Sequence, residues 1–462
     1  MRTTFLCLAA LAQLALNAAA FSPVTIPLYK RTDDGGIYKA AGSALDNGVL
    51  AGKINIGEPP QEFTVAFDTT TGFSWVRGSR CKSTNCRDRC TYYSTKSDTV
   101  QNTGQKFSVE YGDACVDTHV YLETFEFAGL TVKDFPIGSA YHMKGFGSGF
   151  DGYLGLGRPV DFNSTKYKSS TAGSLAKRDT LPSSAFAQTA FQQGSGVASS
   201  QFGMYTTSDS GGSFDQSGST TGTTGTTGTT GSTNGTVTNT TSGAIPAATV
   251  TNAPSSTDTV TSGGFGIVKR HNVEEKADGY LVLGGVDKSV IEGDVEYLRL
   301  ADTLDGSDKN WDICIRHASF GDNLKFKQEE NAIASISTAT SFIAMPPVQA
   351  DAFHAKFGAE YDTSTKLYTI KCSEIDNLPL LKMTLEDHVV ELPAKYWTAA
   401  VDADRDCCTT KISRGSSERD WVLGTSFTNA FYTTFDPDNE TLGLAIKKGQ
   451  KNDGLRVYRK SH

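Results

Sequence analysis

Long apolar runs are almost absent from this chain of 462 residues. The one exception is Phe5 to Leu16 within MRTTFLCLAALAQLALNAAA, preceded by Arg2 and followed by Ala18, Ala19 and Ala20. It is shorter than the roughly 20 residues of a spanning helix and reads as a secretory signal ending near Ala20. The closing GQKNDGLRVYRKSH is polar, with neither a stop-transfer run nor a lipid-anchor tail, so no transmembrane anchor is expected. A basic stripe is missing too. With 51 acidic against 43 basic side chains the net charge is -8, which excludes nucleic acid as the main partner. There is no H-E-x-x-H, no G-x-S-x-G and no P-loop, which removes the zinc hydrolase, serine hydrolase and nucleotide-enzyme classes. No paired C-x-x-C stands near a histidine, so neither a metal site nor a cofactor is expected. An apolar share of 38%, without a glycine period or heptads, excludes wholly disordered, collagen-like and coiled-coil chains.

The 9 cysteines are informative once Cys7 leaves with the signal. The remaining eight travel an oxidising route and allow up to four disulfides. Cys81 and Cys86 close a short loop, with Cys90 and Cys115 near it, so two bridges are expected in the N-terminal half. Cys372 with Cys407 or Cys408 would be a third, leaving Cys314 to the remaining member of that pair.

Residues 208–278 change character, passing through TTGTTGTTGTTGSTNGTVTNTTSG, which has too little apolar surface to fold. Asn234 and Asn239 head N-x-T sequons there, and Asn163 and Asn439 head others, so a glycosylated extended loop or a plain linker is expected. Lys269-Arg270 near its end, and Lys177-Arg178 elsewhere, are dibasic pairs.

With that insert set aside, an internal echo emerges. Asp68-Thr69-Thr70-Thr71 is followed by Tyr153-Leu154-Gly155, and Ser337-Thr338-Ala339-Thr340 by Val422-Leu423-Gly424; 87 residues separate Asp68 from Gly155 and Ser337 from Gly424. Equal spacing signals duplicated lobes. Alternation such as Phe63, Val65 and Phe67, and short runs such as YLVLGG and FYTTFD between Gly, Pro and Asp turns, make both lobes mainly β. The resulting division is a signal at 1–20, a short leader at 21–46, lobes at 47–207 and 279–447 around the insert, and a polar tail at 448–462.

The segment INIGEPPQEFTVAFDTTTGFSWV resembles the first active-site region of pepsin-like aspartic peptidases, family A1, of fungal type. VEYGDA resembles the flap, FDGYLGLG the first-lobe support, GYLVLGGVD the start of the second lobe, SISTATSFIAMP the second active-site loop, and WVLGTSF with FYTTFD the closing strands. The resemblance implies a bilobal, mainly β fold with a deep cleft for an extended peptide, no cofactor, and a monomer. In such a cleft two neighbouring carboxylates share one proton, one acting as base toward a water while the other protonates the scissile carbonyl. Asp68 holds the first catalytic position; Ser337 holds the second.

Further departures accompany Ser337. Thr70 and Ala339 stand where the family has glycine, adding side chains between loops that approach closely. The resemblance also implies that Thr69 and Thr338 tie the loops together and that Thr71 and Thr340 are the hydroxyl residues beside the dyad positions. Tyr111 and Gly112 belong to the flap, with Trp75 as hydrogen-bond partner of Tyr111, while Asp113, Ala114 and Cys115 replace a glycine-rich tip. A Cys90–Cys115 bridge would staple its root. FSPVTIPLYKR resembles the opening of an inhibitory propeptide but is short for that task. Ser337 as a nucleophile would need a base, and neither His317 nor His354 is placed by a motif.

Three readings follow: a secreted peptide-binding homologue with a broken dyad, an active acid endopeptidase using another carboxylate, or a glycosylated surface or wall protein with the lobes as carrier. Secretion is expected, with the cell wall as a further destination ahead of the vacuole.

Overall fold

The computed structural model describes residues 29–30, 38–44, 48–87, 89–111, 114–146, 149–160, 162, 181–207, 277–302, 310–362, 367–402, 406–450 and 453–460. The expected signal, most of the leader, the insert and Lys177-Arg178 lie outside them. Among the described residues the chain forms sheets of 14, nine and four strands with short helices between. The architecture is mainly β.

The large sheet has a structural repeat in its connections. Strand Gln61–Asp68 runs parallel to Gly152–Gly155, with Asp68 beside Gly155. Ser74–Arg77 then returns antiparallel on the other side of Gly152–Gly155, pairing Trp75 with Tyr153. The nine-stranded sheet repeats this arrangement. Ile333–Ile336 runs parallel to Trp421–Leu423, and Ile343–Met345 pairs antiparallel with the same strand, Ala344 beside Val422. In each case an extended chain leads into a loop that begins with Asp68 or Ser337.

Alternation explains why these strands hold. Val65 and Phe67 are fully buried on one side of their strand, and Phe125, Leu154, Trp311, Phe353, Trp421 and Leu444 join them in one continuous core. Each such side chain contributes about 1.5–3 kcal/mol. A second cluster, with Phe73, Trp75, Val120, Phe146, Phe150 and Tyr153, packs under the hairpin of Gln101–Tyr111 and Ala114–Phe127.

Two segments outside the lobes proper are strands. Tyr38–Ala44, within the expected leader, lies between Gly279–Leu283 and Leu50–Ile56 in the large sheet. Arg456–Arg459, within the expected polar tail, pairs with His388–Leu392.

The disulfides follow expectation in part. Cys81–Cys86 and Cys372–Cys408 are formed, the second closing a loop worth about 4 kcal/mol in chain entropy. Cys90, Cys115 and Cys314 are unbridged thiols. Cys90 donates its N–H to Asp151, whereas Cys115 sits in the hairpin ladder opposite Glu110 and Lys144, so nearness in sequence does not bring the sulfurs together. Cys314 pairs opposite Ile333 in the nine-stranded sheet. Cys407 and Cys408 lie in the four-stranded sheet, and the ladders hold these segments apart.

Candidate active site

The two loops are built alike. The Thr70 N–H donates to Asp68 Oδ1 at 2.7 Å, and the Ala339 N–H to Ser337 Oγ at 3.3 Å. Thr71 Oγ1 accepts from the Phe73 N–H at 3.2 Å and Thr340 Oγ1 from the Phe342 N–H at 3.3 Å, so each hydroxyl closes a local turn. Beneath them lie Gly155 and Gly424. A Cβ on Gly155 would come within 2.5 Å of the Phe73 nitrogen, and one on Gly424 within 2.4 Å of the Phe342 oxygen. Only glycine permits that approach.

Thr69 and Thr338 join the loops reciprocally. Thr69 N–H donates to Thr338 Oγ1 and Thr338 N–H to Thr69 Oγ1, both at 3.1 Å. Their hydroxyls donate onward to Ile336 and Phe67 carbonyls, at 3.0 and 2.6 Å. All four bonds are buried, and each is worth about 0.5–1.5 kcal/mol net.

At the centre the symmetry fails. The hydroxyls of Thr70 and Ser337 meet at 2.8 Å, a direct contact that leaves no space for a water between them. Thr70 is exposed while Asp68 is sealed at 0% exposure and Ser337 at 5%. Burial pushes the Asp68 carboxyl up to about 6; hydrogen bonding from Thr70, Tyr111 and Thr71 offsets part of that rise. None of the groups that shift it is a second carboxylate. Asp68 Oδ2 is buried and has no partner at hydrogen-bonding geometry among the described residues.

Above this centre the Trp75 indole N–H donates to the Tyr111 hydroxyl at 3.1 Å. Gly112, Asp113, Asn163, Asn234, Asn239 and Lys269-Arg270 lie outside the described residues. Asn439 is exposed in the turn before Thr441–Lys447, its Nδ2 donating to Asp436 at 2.7 Å. His317 lies in the strand Asp312–Phe320; His354 is buried between Ala350 and Thr410. Neither contacts Ser337 through a hydrogen bond. Among the described residues no group of three His, Cys, Asp or Glu side chains is placed to hold a metal, and no helix is long and apolar enough to cross a membrane.

Sequence reasoning missed two supports. Tyr153 packs against Trp75 and Tyr111, with ring centroids 5.1 Å apart in each pair. Burial, then the charge of Asp68, raises its phenol far above the ordinary range. Asp151 and Asp420 form the other support: Asp151 accepts the Thr64 N–H at 2.8 Å and Asp420 the Ile333 N–H at 3.1 Å, each across 87 residues. The signal was present, because this is the interval that separates Asp68 from Gly155.

Comparison with known proteins agrees with this geometry. The family profile described as "Eukaryotic aspartyl protease" matches residues 50–262 and 238–447. The chain is 23% identical over 402 residues to gastricsin of Callithrix jacchus, covering 85% of this chain and 80% of the relative. It is 23% identical over 399 residues to pregnancy-associated glycoprotein 1 of Bos taurus, covering 86% and 81%. Against pepsin A of Rhinolophus ferrumequinum it is 24% identical over 402 residues, covering 85% and 80%. With paired loops joined through Thr69 and Thr338 and a profile match across both lobes, the chain belongs to the eukaryotic aspartyl protease family.

Proposed function

We propose that this protein is a secreted, pepsin-type peptide-binding protein whose cleft takes an extended peptide or protein segment, and whose catalytic dyad is broken at Ser337. The observation that carries the reading is the direct contact of Thr70 and Ser337 hydroxyls at 2.8 Å above a sealed Asp68. Peptide hydrolysis by a dyad needs one group that releases a proton and one that takes it up in the working range. Asp68, raised to about 6, can fill one role at acidic pH. A serine hydroxyl does not ionise there and cannot fill the other.

Secretion is supported by the apolar leader and by the disulfides Cys81–Cys86 and Cys372–Cys408, which suit an oxidising route. Asn439, exposed in a turn, suits glycosylation on that route. The protein acts as a monomer, without cofactor or metal.

The test is turnover of a fluorogenic peptide library from about pH 3 to 6 by the purified protein, alongside binding of the same peptides by calorimetry. Binding without turnover is expected. Turnover that disappears in Asp68→Asn would overturn the broken-dyad reading.

A further inference from the structure

Exposed cations of the second lobe have carboxylate partners. Arg414 meets Asp351 at 2.6 Å, Arg459 meets Asp387 at 2.7 Å, Arg419 meets Asp420 at 2.8 Å and Lys382 meets Glu391 at 2.9 Å. Lys411 reverses this pattern. It is partly buried, and burial alone holds its ammonium below the ordinary lysine value, with no carboxylate among the groups that shift it. Among the described residues its Nζ makes neither a hydrogen bond nor an ion pair. A desolvated charge is costly unless it is paired, so a lysine that merely filled space here would be worse than an apolar residue of its size.

The position of this ammonium is set by the Ser337 loop. Ile343–Met345 runs parallel to Ile412–Arg414, with Ile343 beside Ile412 and both fully buried. Side chains alternate along extended chain, so Phe342 and Lys411, one place earlier, turn to the opposite face. There the Lys411 Nζ lies 5.5 Å from the centroid of the Phe342 ring. The base of the side chain is fixed, because the Lys411 N–H donates to the Trp397 carbonyl at 2.7 Å and its carbonyl accepts the Ile343 N–H at 2.8 Å. Phe342 closes the loop that Ser337 heads: its N–H donates to Thr340 Oγ1 at 3.3 Å and its carbonyl accepts the Gly424 N–H at 2.9 Å. Ala339, in the same loop, packs on the first-lobe cluster that includes Trp75 and Tyr153.

We propose that Lys411, beside the face of Phe342, is the subsite that receives a carboxylate of the bound peptide, from an acidic side chain or from the chain's C-terminus. This rests on the peptide-binding reading above and adds a charge preference to it. The aromatic face attracts the ammonium but accepts none of its three N–H donors at this distance. A carboxylate supplies what is missing, both the opposite charge and the acceptor oxygens, and a charge-assisted bond of this kind is stronger than a neutral one. A neutral amide of the same shape would leave the ammonium without a counter-charge.

Calorimetry at about pH 6, where a glutamate of ordinary value about 4.3 is ionised, tests this on the full chain. The probes are short peptides with one Glu moved along the sequence, each paired with its Gln counterpart, and the Gln peptide as free acid paired with its C-terminal amide. At least one pair should show about tenfold tighter binding of the carboxylate member, the equivalent of one hydrogen bond to a charged group. A preference at one Glu position identifies a side chain as the source, and a preference confined to the free acid identifies the chain end. The ratio should fall to about one in Lys411→Met and persist in Lys411→Arg. Peptides that bind with no carboxylate preference in the parent overturn the proposal while leaving the peptide-binding reading intact, as does a preference that survives in Lys411→Met. Binding of neither member of any pair overturns both.

Discussion

The Asp68 loop and the Ser337 loop share a backbone and differ in chemistry. Each follows a parallel strand pair, each closes a turn on a threonine hydroxyl, and each is tied to the other through Thr69 or Thr338. What differs is the group at the head and the residue two places on: carboxylate and Thr70 in one loop, hydroxyl and Ala339 in the other. The lesson is that the frame does not depend on the dyad. Its bonds between the loops use main-chain groups and threonines, so the loop shape does not require the same group at both heads.

The sharpest way to break the comparison is to place a carboxylate at the head of the Ser337 loop. Ser337→Asp alone should give little turnover of a fluorogenic peptide, because Thr70 and Ala339 still crowd the loops, and a misplacement near 1 Å costs about a hundredfold. Adding Thr70→Gly and Ala339→Gly should raise turnover by about that factor over the single variant, and by about 10⁴-fold over the parent. A single variant as fast as the triple would show that the two added side chains are harmless.

The second difference is electrostatic. Asp68 has a folded-state value of about 6 against 3.8 for the free side chain, so the folded state binds its proton more tightly than the unfolded state. Its contribution is fully present below about pH 4 and is lost as pH rises through about 6, a change of about 3 kcal/mol. Urea unfolding of the parent and of Asp68→Asn across this window should show that change only in the parent. Ser337 has no matching term.

A smaller contrast separates the two supporting aspartates. Asp151 holds the Thr64 and Cys90 amides and Arg89, with its side chain 4% exposed. Asp420, at 23%, holds the Ile333 amide, the Ser417 hydroxyl and the adjacent Arg419. Asp151→Ala should cost about 3 kcal/mol and Asp420→Ala about 1.5 kcal/mol, read by chemical denaturation. Equal losses would mean that the deeper burial of Asp151 contributes nothing. The smallest contrast is expected from Thr69→Val against Thr338→Val. Each removes the same pair of hydroxyl bonds, so both should cost about 2 kcal/mol and agree within about 0.5 kcal/mol.

Much of the site was legible because it is local and repeated. Asp68-Thr69-Thr70-Thr71 and Ser337-Thr338-Ala339-Thr340 are contiguous, and their equal distance to Gly155 and Gly424 exposes the duplication. The Cys90, Cys115 and Cys314 pairings were not legible in the same way. A disulfide needs Cα atoms about 4.4–6.8 Å apart, and that distance is set by which ladder each strand joins. Asp151 and Asp420 fall between these cases, since the 87-residue interval was visible but their acceptance of a remote amide was not. The strand Arg456–Arg459 was read as a polar tail because Arg, Tyr and Arg carry little apolar signal; its partner strand supplies the hydrogen bonds and the receiving carboxylates.

By itself, then, the sequence determined the mainly β class, the family and the placing of Asp68 and Ser337 at the heads of two repeated loops, because side-chain identity and strand periodicity are properties of neighbouring residues. Tertiary structure alone decided that Thr70 would reach across to Ser337 and that Asp68 would be sealed enough to rise to about 6. Those outcomes depend on desolvation and on distances between groups far apart in the chain, which are set only when the sheets have assembled.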